Sequence, residues 1–560
     1  MRTIRTHGRA WARAASAVLL AAAALVGCGG GGSDGEEAVV TTAAAQAAIG
    51  SVTLDSDKLP ATTLPARAAP QGKYTYGFNT AFSPAWMDPQ EYPAQATPYL
   101  VAFAIHEGVV RHMPGRPLSP GLASSYKVAD DYLSATFTLR EGLTFHNGDP
   151  LTSEDVKFTY ENYKGTASDL FKARTERVET PDARTVRFVF KQPFVDFLLL
   201  YGTPASGAGW VVPKKYYTEV GPDRYKQNPV GAGPFRFVRN NGGNELELEA
   251  FDGYWRRSAG VKTMVMKFIT DNATRFAATQ AGEIDVMTNL PATLLEVARN
   301  TPGMRVQPSV SGNFWLEMPG WERPDSPFHD VRVRKAVSLA LDRKAISDAE
   351  AGGMASLEGT WIPQAWGGAI QPKDAPDAWR SDLVEAKRLM AEAGFPNGFE
   401  VSQLTPLPPF NSLAERVITQ LAAIGIKTKL NIMERGAFLE ATQKGVDGLP
   451  GLIINISSAP GDAASRVRAF ATCKGSSSRT CIPELDAKFA VYETSVDAAE
   501  RSRLLTEVQR ILLDQYVFPF VYTQTNLGVF GPRIANEPKD VYGAMPQFPL
   551  LAPYEDVTVR

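Results

Sequence analysis

The sequence predicts an α/β protein too large for a single core, and three observations carry that expectation. First, Glu385–Ala393 and Leu413–Ile424 read as amphipathic helices, and Ile426–Ile432 reads as a strand. Strand, helix and strand then alternate, as in an α/β lobe. Second, Phe137–Glu161 packs a strand, a turn and a helix start into one stretch. Phe137, Leu139, Leu143 and Phe145 alternate as a half-buried strand would. Asn147-Gly148 suits a tight turn, because glycine accepts a positive φ. Thr152-Ser153-Glu154-Asp155 reads as a helix start, with a hydroxyl to cap free amides and acids near the positive end of the dipole. Val156, Tyr160 and Tyr163 continue at helical spacing. Third, about 490 residues follow the low-complexity N-terminus, more than one apolar core accommodates, so at least two lobes are expected. Further along, Val333, Val337, Ala340 and Leu341 fall on one helical face, with Arg332, Lys335 and Arg343 expected outside it. Gly394 is placed to end the Glu385–Ala393 helix, and Gly425 to stop the next one.

The N-terminus predicts export. Four arginines fall in the first 13 residues, followed by the apolar run Ala14–Val26 and then Gly27-Cys28. A charged start, a short apolar core and small residues before the cut describe a signal peptide over 1–27. The run is shorter than the ~20 apolar residues that span a bilayer. Leu25-Val26-Gly27-Cys28 resembles the lipobox of bacterial lipoproteins, which makes Cys28 the lipidated first residue; the alternative is an ordinary secretory peptide cut elsewhere. Residues 28–70, rich in Gly, Ala, Thr and Pro, read as a flexible tether. After residue 27 the chain carries 54 basic and 60 acidic residues, a net charge of −6, which argues against a nucleic-acid partner. Beyond Cys28 only Cys473 and Cys481 remain, eight residues apart around a polar loop. In an exported chain that spacing reads as a disulfide. Of five histidines, His7 leaves with the signal, and His106, His112, His146 and His329 stand singly, so no metal site is expected.

The stretch Leu139-Arg140, Gly142, Phe145, Gly148, Pro150, Thr152, Asp155-Val156 resembles the signature of the extracytoplasmic solute-binding proteins of ABC importers, in the family 5 peptide- and nickel-binding cluster. Ser153 stands where that signature has alanine. Other landmarks follow in order: Trp86–Pro89, Ile105–Val110, Asn228–Phe235, Phe251–Trp255, Gln280–Asp285, Phe328–Arg343 and Glu385–Gly394. The resemblance runs from about 75 to 535. It implies the two-lobe periplasmic-binding-protein fold (class II, cluster C type) with an extra subdomain. Lobe I would take 71–310 plus 525–560, with the subdomain at about 110–233. Lobe II would take 311–524, and the hinge would lie near 313–316 and 521–525. It further implies a lipid-anchored, monomeric periplasmic receptor that hands a small solute or peptide to permease subunits with their ATPase, without a cofactor.

Dipeptide-type relatives hold their zwitterion between an aspartate and an arginine, since a buried charge needs a fixed partner. The resemblance puts Pro408 at the arginine position and Ala459 at the aspartate position; a slip of one to three residues would bring in Asp462. A neutral or singly charged ligand, or a longer peptide held by its backbone, is therefore expected in place of a free dipeptide. Candidate lining residues are Met87, Trp315, Trp361, Phe410, Asn411, Ser457 and Ser458, each of which has a plain core or turn reading too. Arg435, Arg466 and Arg468 could meet an anion, or lie solvated on the surface. Two other functions stay open: the same fold used as a sensor or chaperone without transport, and, more distantly, an exported hydrolase. The chain lacks Gly-x-Ser-x-Gly and His-Glu-x-x-His, so it is expected not to be an enzyme.

Overall fold

Lys73–Phe78 (β1) buries five of its six residues in succession, the pattern of a strand covered on both faces. It pairs in parallel with Thr263–Phe268 (β10) and Val286–Met287 (β11). The computed structural model describes residues 69–92, 96–113, 116–202, 206–364, 366–442, 444–456, 462–536 and 553–560. The signal peptide, Cys28, nearly all of the tether, and Ser457, Ser458 and Ala459 lie outside the described residues.

β1 belongs to a nine-stranded sheet. Beyond β10 lie Glu245–Ala250 (β9) and Phe235–Asn241 (β8), paired antiparallel. β9 buries Leu246 and Leu248 on one face; on the other, Glu249 and Glu247 pair with Arg236 and Arg239 of β8. Beyond β11 the sheet continues through a long antiparallel ribbon of Arg305–Glu317 (β12) and Phe520–Phe530 (β17), whose register shifts between Val310 and Gly312 and between Phe314 and Trp315. Past the ribbon stand Leu452–Ile456 (β16), antiparallel to β12, and Leu404–Pro406 (β14), parallel to β16.

Three further sheets stand apart among the described residues. Val110–Met113 (β2) pairs with Arg116–Pro120 (β3), and Phe399–Glu400 (β13) pairs with Ile426–Lys427 (β15). A four-stranded antiparallel sheet joins Ala123–Val128 (β4), Ser134–Leu139 (β5), Thr185–Phe190 (β7) and Thr175–Glu179 (β6), in that order. It carries the stretch singled out above. Phe137 and Leu139 are fully buried, Gly148 N–H donates to Phe145 O at 2.9 Å to close the turn, and the helix runs Ser153–Glu161. At its start Asp155 accepts from the Thr152 N–H and hydroxyl.

Apolar side chains gather in separate clusters, as a chain of this length requires. One lies around β1, β10 and residues 99–105, and a small one around β11 and 276–306. Another fills the 109–232 insertion, and the largest spans Phe314–Tyr522. The fold is α/β with two lobes. Cys473 and Cys481 form a disulfide, with S–S at 2.05 Å. Among the described residues no helix is long and apolar enough to cross a membrane.

Three local expectations are corrected. The strand expected at Ile426–Ile432 stops at Lys427, because the following residues bury no face: Ile432 is exposed, and only Leu430 bridges back to Leu404. The helices run Leu383–Glu392 and Asn411–Ala422, each starting two residues early. Arg343, expected on an outer face, is 2 % exposed, because Leu341 and Asp342 end one helix and cap the next, turning the arginine inward.

Candidate functional site

The ribbon fixes the site. β11 pairs with β17 at Phe530 and Val529, the end where β12 begins. β16 pairs with β12 over Phe314–Glu317, the opposite end. β11 and β1 run in the sense of β12, whereas β16 and β14 run against it. The carboxyl ends of two parallel strand groups therefore point toward each other along the ribbon. Carboxyl ends of parallel strands are where open α/β sheets leave a crevice for ligands, because the backbone there diverges into loops.

Loop 79–92 follows β1. Its Met87 is buried at the end of a 3₁₀ turn, and the Met87 carbonyl accepts from His106 Nε2 at 3.3 Å. Asp88 caps the next turn and accepts from Tyr217 Oη at 2.7 Å; burial raises its carboxyl above the usual range. On the facing side, residues 407–411 follow β14. Phe410 meets Phe314 edge-on at 4.7 Å, and Phe314 stacks on Tyr522. Asn411 opens a helix with its Oδ1 buried and without a partner among the described residues. Pro408, at the expected anchor position, offers its carbonyl to Arg435 Nη1 at 2.9 Å, and burial lowers the Arg435 guanidinium.

Trp315 and Trp361 form an aromatic wall behind this loop. They lie 5.8 Å apart and are joined by Phe470 and Phe518. Glu317 orients Trp315 by accepting from its Nε1 at 3.1 Å, and is itself held by Asn455 Nδ2 and Arg479 Nε. Arg479 belongs to the disulfide loop, so the Cys473–Cys481 clasp fastens the wall from behind. Both tryptophans are buried in the Phe314–Tyr522 cluster.

The three candidate arginines separate. Arg466 lies over Trp366 at 4.9 Å, and burial lowers it to about 10. Arg468 is spent on Glu493 and Asp196. Arg435 has no carboxylate within ion-pair distance among the described residues and stands nearest the strand ends. Sequence reading missed Trp366, whose buried Nε1 has no partner among the described residues. No local motif marks it. Two hollows, of about 220 Å³ beside Asp374 and Tyr516 and about 440 Å³ beside Leu357 and Trp379, are lined by none of the strand-end residues. Among the described residues no group of three His, Cys, Asp or Glu is placed to hold a metal.

Facing strand ends of this kind leave space for a ligand between them. The profile of the bacterial extracellular solute-binding proteins, family 5, matches residues 117–478. The chain belongs to this family. It is 29% identical over 340 residues to the heme-binding protein A of Haemophilus influenzae, covering 56% of this chain and 61% of that protein. It is 30% identical over 354 residues to the glutathione-binding protein GsiB of Escherichia coli K12, covering 60% and 65% respectively. The aligned part is thus less than two thirds of either relative. Among solved structures, the substrate-binding protein CtaP of Listeria monocytogenes superposes with a TM-score of 0.75 at 20% identity, over 88% of this chain and 99% of that one. NikA of Brucella suis, in complex with Fe(III)-EDTA, gives 0.74 at 20% identity, over 88% and 100%. At such identities the likeness concerns the fold.

Proposed function

We propose that this chain is an extracytoplasmic receptor that closes two lobes around a small organic or peptide-like solute and delivers it to the permease of an ABC importer. The observation that carries this reading is the pair of strand-end groups facing each other along the β12/β17 ribbon in a family 5 chain. Lobe I takes 71–310 and 525–560, with its insertion at about 110–233, and lobe II takes 311–524. The ribbon is the hinge, since it crosses twice and its register already shifts there; hinge closure around ligands is common. Met87, Phe410 and the Trp315–Trp361 wall supply apolar lining, and Asn411 a polar amide. Ser457 and Ser458, which follow Ile456 in sequence, are proposed as further lining. Pro408 brings no charge, so a zwitterionic dipeptide lacks one of its two anchors; Arg435 beside it suits at most one anionic group. Cys28 would carry the lipid and 28–70 would be the leash, in a periplasmic monomer anchored to a bacterial membrane. Use of the fold for sensing without transport is the second reading.

Native mass spectrometry of the receptor released from membranes in mild detergent tests all of this at once. The expected result is a chain beginning at Cys28 with acyl mass attached, and a non-covalent solute that leaves on denaturation. A diverse set of dipeptides would overturn the ligand reading. A chain without acyl mass would overturn the anchor. A receptor that retains nothing and shows no thermal shift with any solute class would overturn binding itself.

A further inference from the structure

Residues of the 109–232 insertion reach the second lobe through charge. Arg174 ends the helix Ser168–Arg174, and its Nη2 pairs with Glu493 Oε2 at 2.9 Å while Nη1 donates to the Glu493 carbonyl at 3.3 Å. Asp196, just before the helix Phe197–Gly202, pairs with Arg468 at 3.2 Å and with Arg501. Glu493 also takes Arg468 Nε at 2.7 Å, so the pairs form one alternating chain across the cleft: Arg174, Glu493, Arg468, Asp196, Arg501. A third carboxylate, Asp462, sits near Asp196 and caps the next helix through Ser465.

Each guanidinium is oriented by its own lobe. Arg174 lies over Phe194 at 5.8 Å, Arg468 over Phe489 at 5.5 Å, and Arg501 over Tyr492 at 4.0 Å with its Nη1 on the Tyr492 carbonyl. Aromatic faces and carbonyls fix such side chains in advance, so little freedom is lost when the partner arrives. The apolar cores of the insertion and of the second lobe share no residue. What joins them here is ionic and partly buried, the side chains being 9 to 22 % exposed. Removing one partner of such a pair leaves the other charge partly buried and uncompensated, which weakens the closed arrangement.

We propose that Arg174–Glu493 and Asp196–Arg468/Arg501 form a latch between the insertion and the second lobe, favouring the closed cleft over the open one. The latch lies outside the strand-end site, so it acts on closure whatever the solute.

The test is small-angle X-ray scattering of the full receptor after its solute has been stripped by denaturation and refolding. The double variant Asp196→Asn/Glu493→Gln is compared with the wild type at one ionic strength. The expected result is a variant more expanded than the wild type. Amide exchange in Pro483–Thr494 and Phe197–Gly202 should quicken about tenfold in the variant. Identical scattering curves from two proteins of equal circular dichroism would overturn the latch. If the double variant does not fold, the single variant Arg174→Gln decides, since Glu493 then keeps Arg468. A folded Arg174→Gln protein more expanded than the wild type supports the latch, and one of identical scattering overturns it. Scattering reads closure and mass spectrometry reads the ligand, so failure here leaves the receptor reading standing, and the converse holds.

Discussion

His146 shows how one ring sets a loop. Its Nδ1 accepts from the Gly231 N–H at 3.2 Å and its Nε2 donates to the Gly233 carbonyl at 3.0 Å. A backbone N–H can only donate, so Nδ1 must be unprotonated and the ring neutral. Burial accordingly lowers His146 to about 4. The unfolded chain binds this proton near pH 6.5, whereas the folded one resists it. Stability from this group is therefore full above pH 6.5 and falls toward pH 4, by about 1.4 kcal/mol per pH unit. His146→Gln keeps a donor and an acceptor but does not titrate. It should be less stable than the wild type at pH 7, yet lose stability less steeply between pH 6.5 and 4 in urea titrations. Parallel pH slopes would refute the assignment. Sequence showed His146 standing singly, away from the other histidines. Arg343 it misread: the guanidinium donates to the carbonyls of Ser338, Leu341, Arg380 and Phe520, and burial lowers it to about 9. Those carbonyls come from three places in the chain, 338–341, 380 and 520, which no periodicity reveals.

At the scale of elements, caps and turns were legible and strand extents were not. Gly394 follows the helix Leu383–Glu392 with φ +90°, and a Cβ there would meet nothing within 4 Å. Gly398, four residues on, has φ +73°, and its Cβ would lie 2.0 Å from the Gly425 carbonyl oxygen. Gly394→Ala should cost only backbone strain, about 1 kcal/mol. Gly398→Ala adds a clash with backbone at the β13–β15 pair and should cost more than about 3 kcal/mol. Equal denaturation midpoints for the two variants would count against this steric difference. The strand expected at Ile426–Ile432 failed for a related reason. Period-two patterning shows which residues could face a core, and packing decides where that core stops.

At the scale of the molecule, residues 553–560 are packed into the core around β1. Glu555 is fully buried and pairs with Arg111 at 3.2 Å and Arg256 at 2.8 Å, while Asp556 holds Arg256 and Arg257. Tyr554 and Val557 join the core around β1. Removing 553–560 would leave two buried guanidiniums short of a counter-charge, which typically costs 3–5 kcal/mol. The truncated chain should unfold at clearly lower urea than the full chain, and an unchanged midpoint would contradict this role. Opposing strand ends, the interlobe ion chain and this C-terminal strap are all products of the chain crossing repeatedly between distant segments.

From its own pattern the sequence determined the α/β class, the strand–turn–helix at 137–161, the helix faces, the expectation of export and the cysteine pairing, all of which depend on residues a few positions apart. Tertiary structure alone decided that β1 and β14 end toward each other, that Arg435 stands beside Pro408, and that Arg174 meets Glu493 across 319 positions. The physical reason is range. Hydrogen-bonded turns and helical stripes are written in neighbouring residues, whereas the ionic and packing partners of a cleft are set by how the ribbon brings two separate cores together.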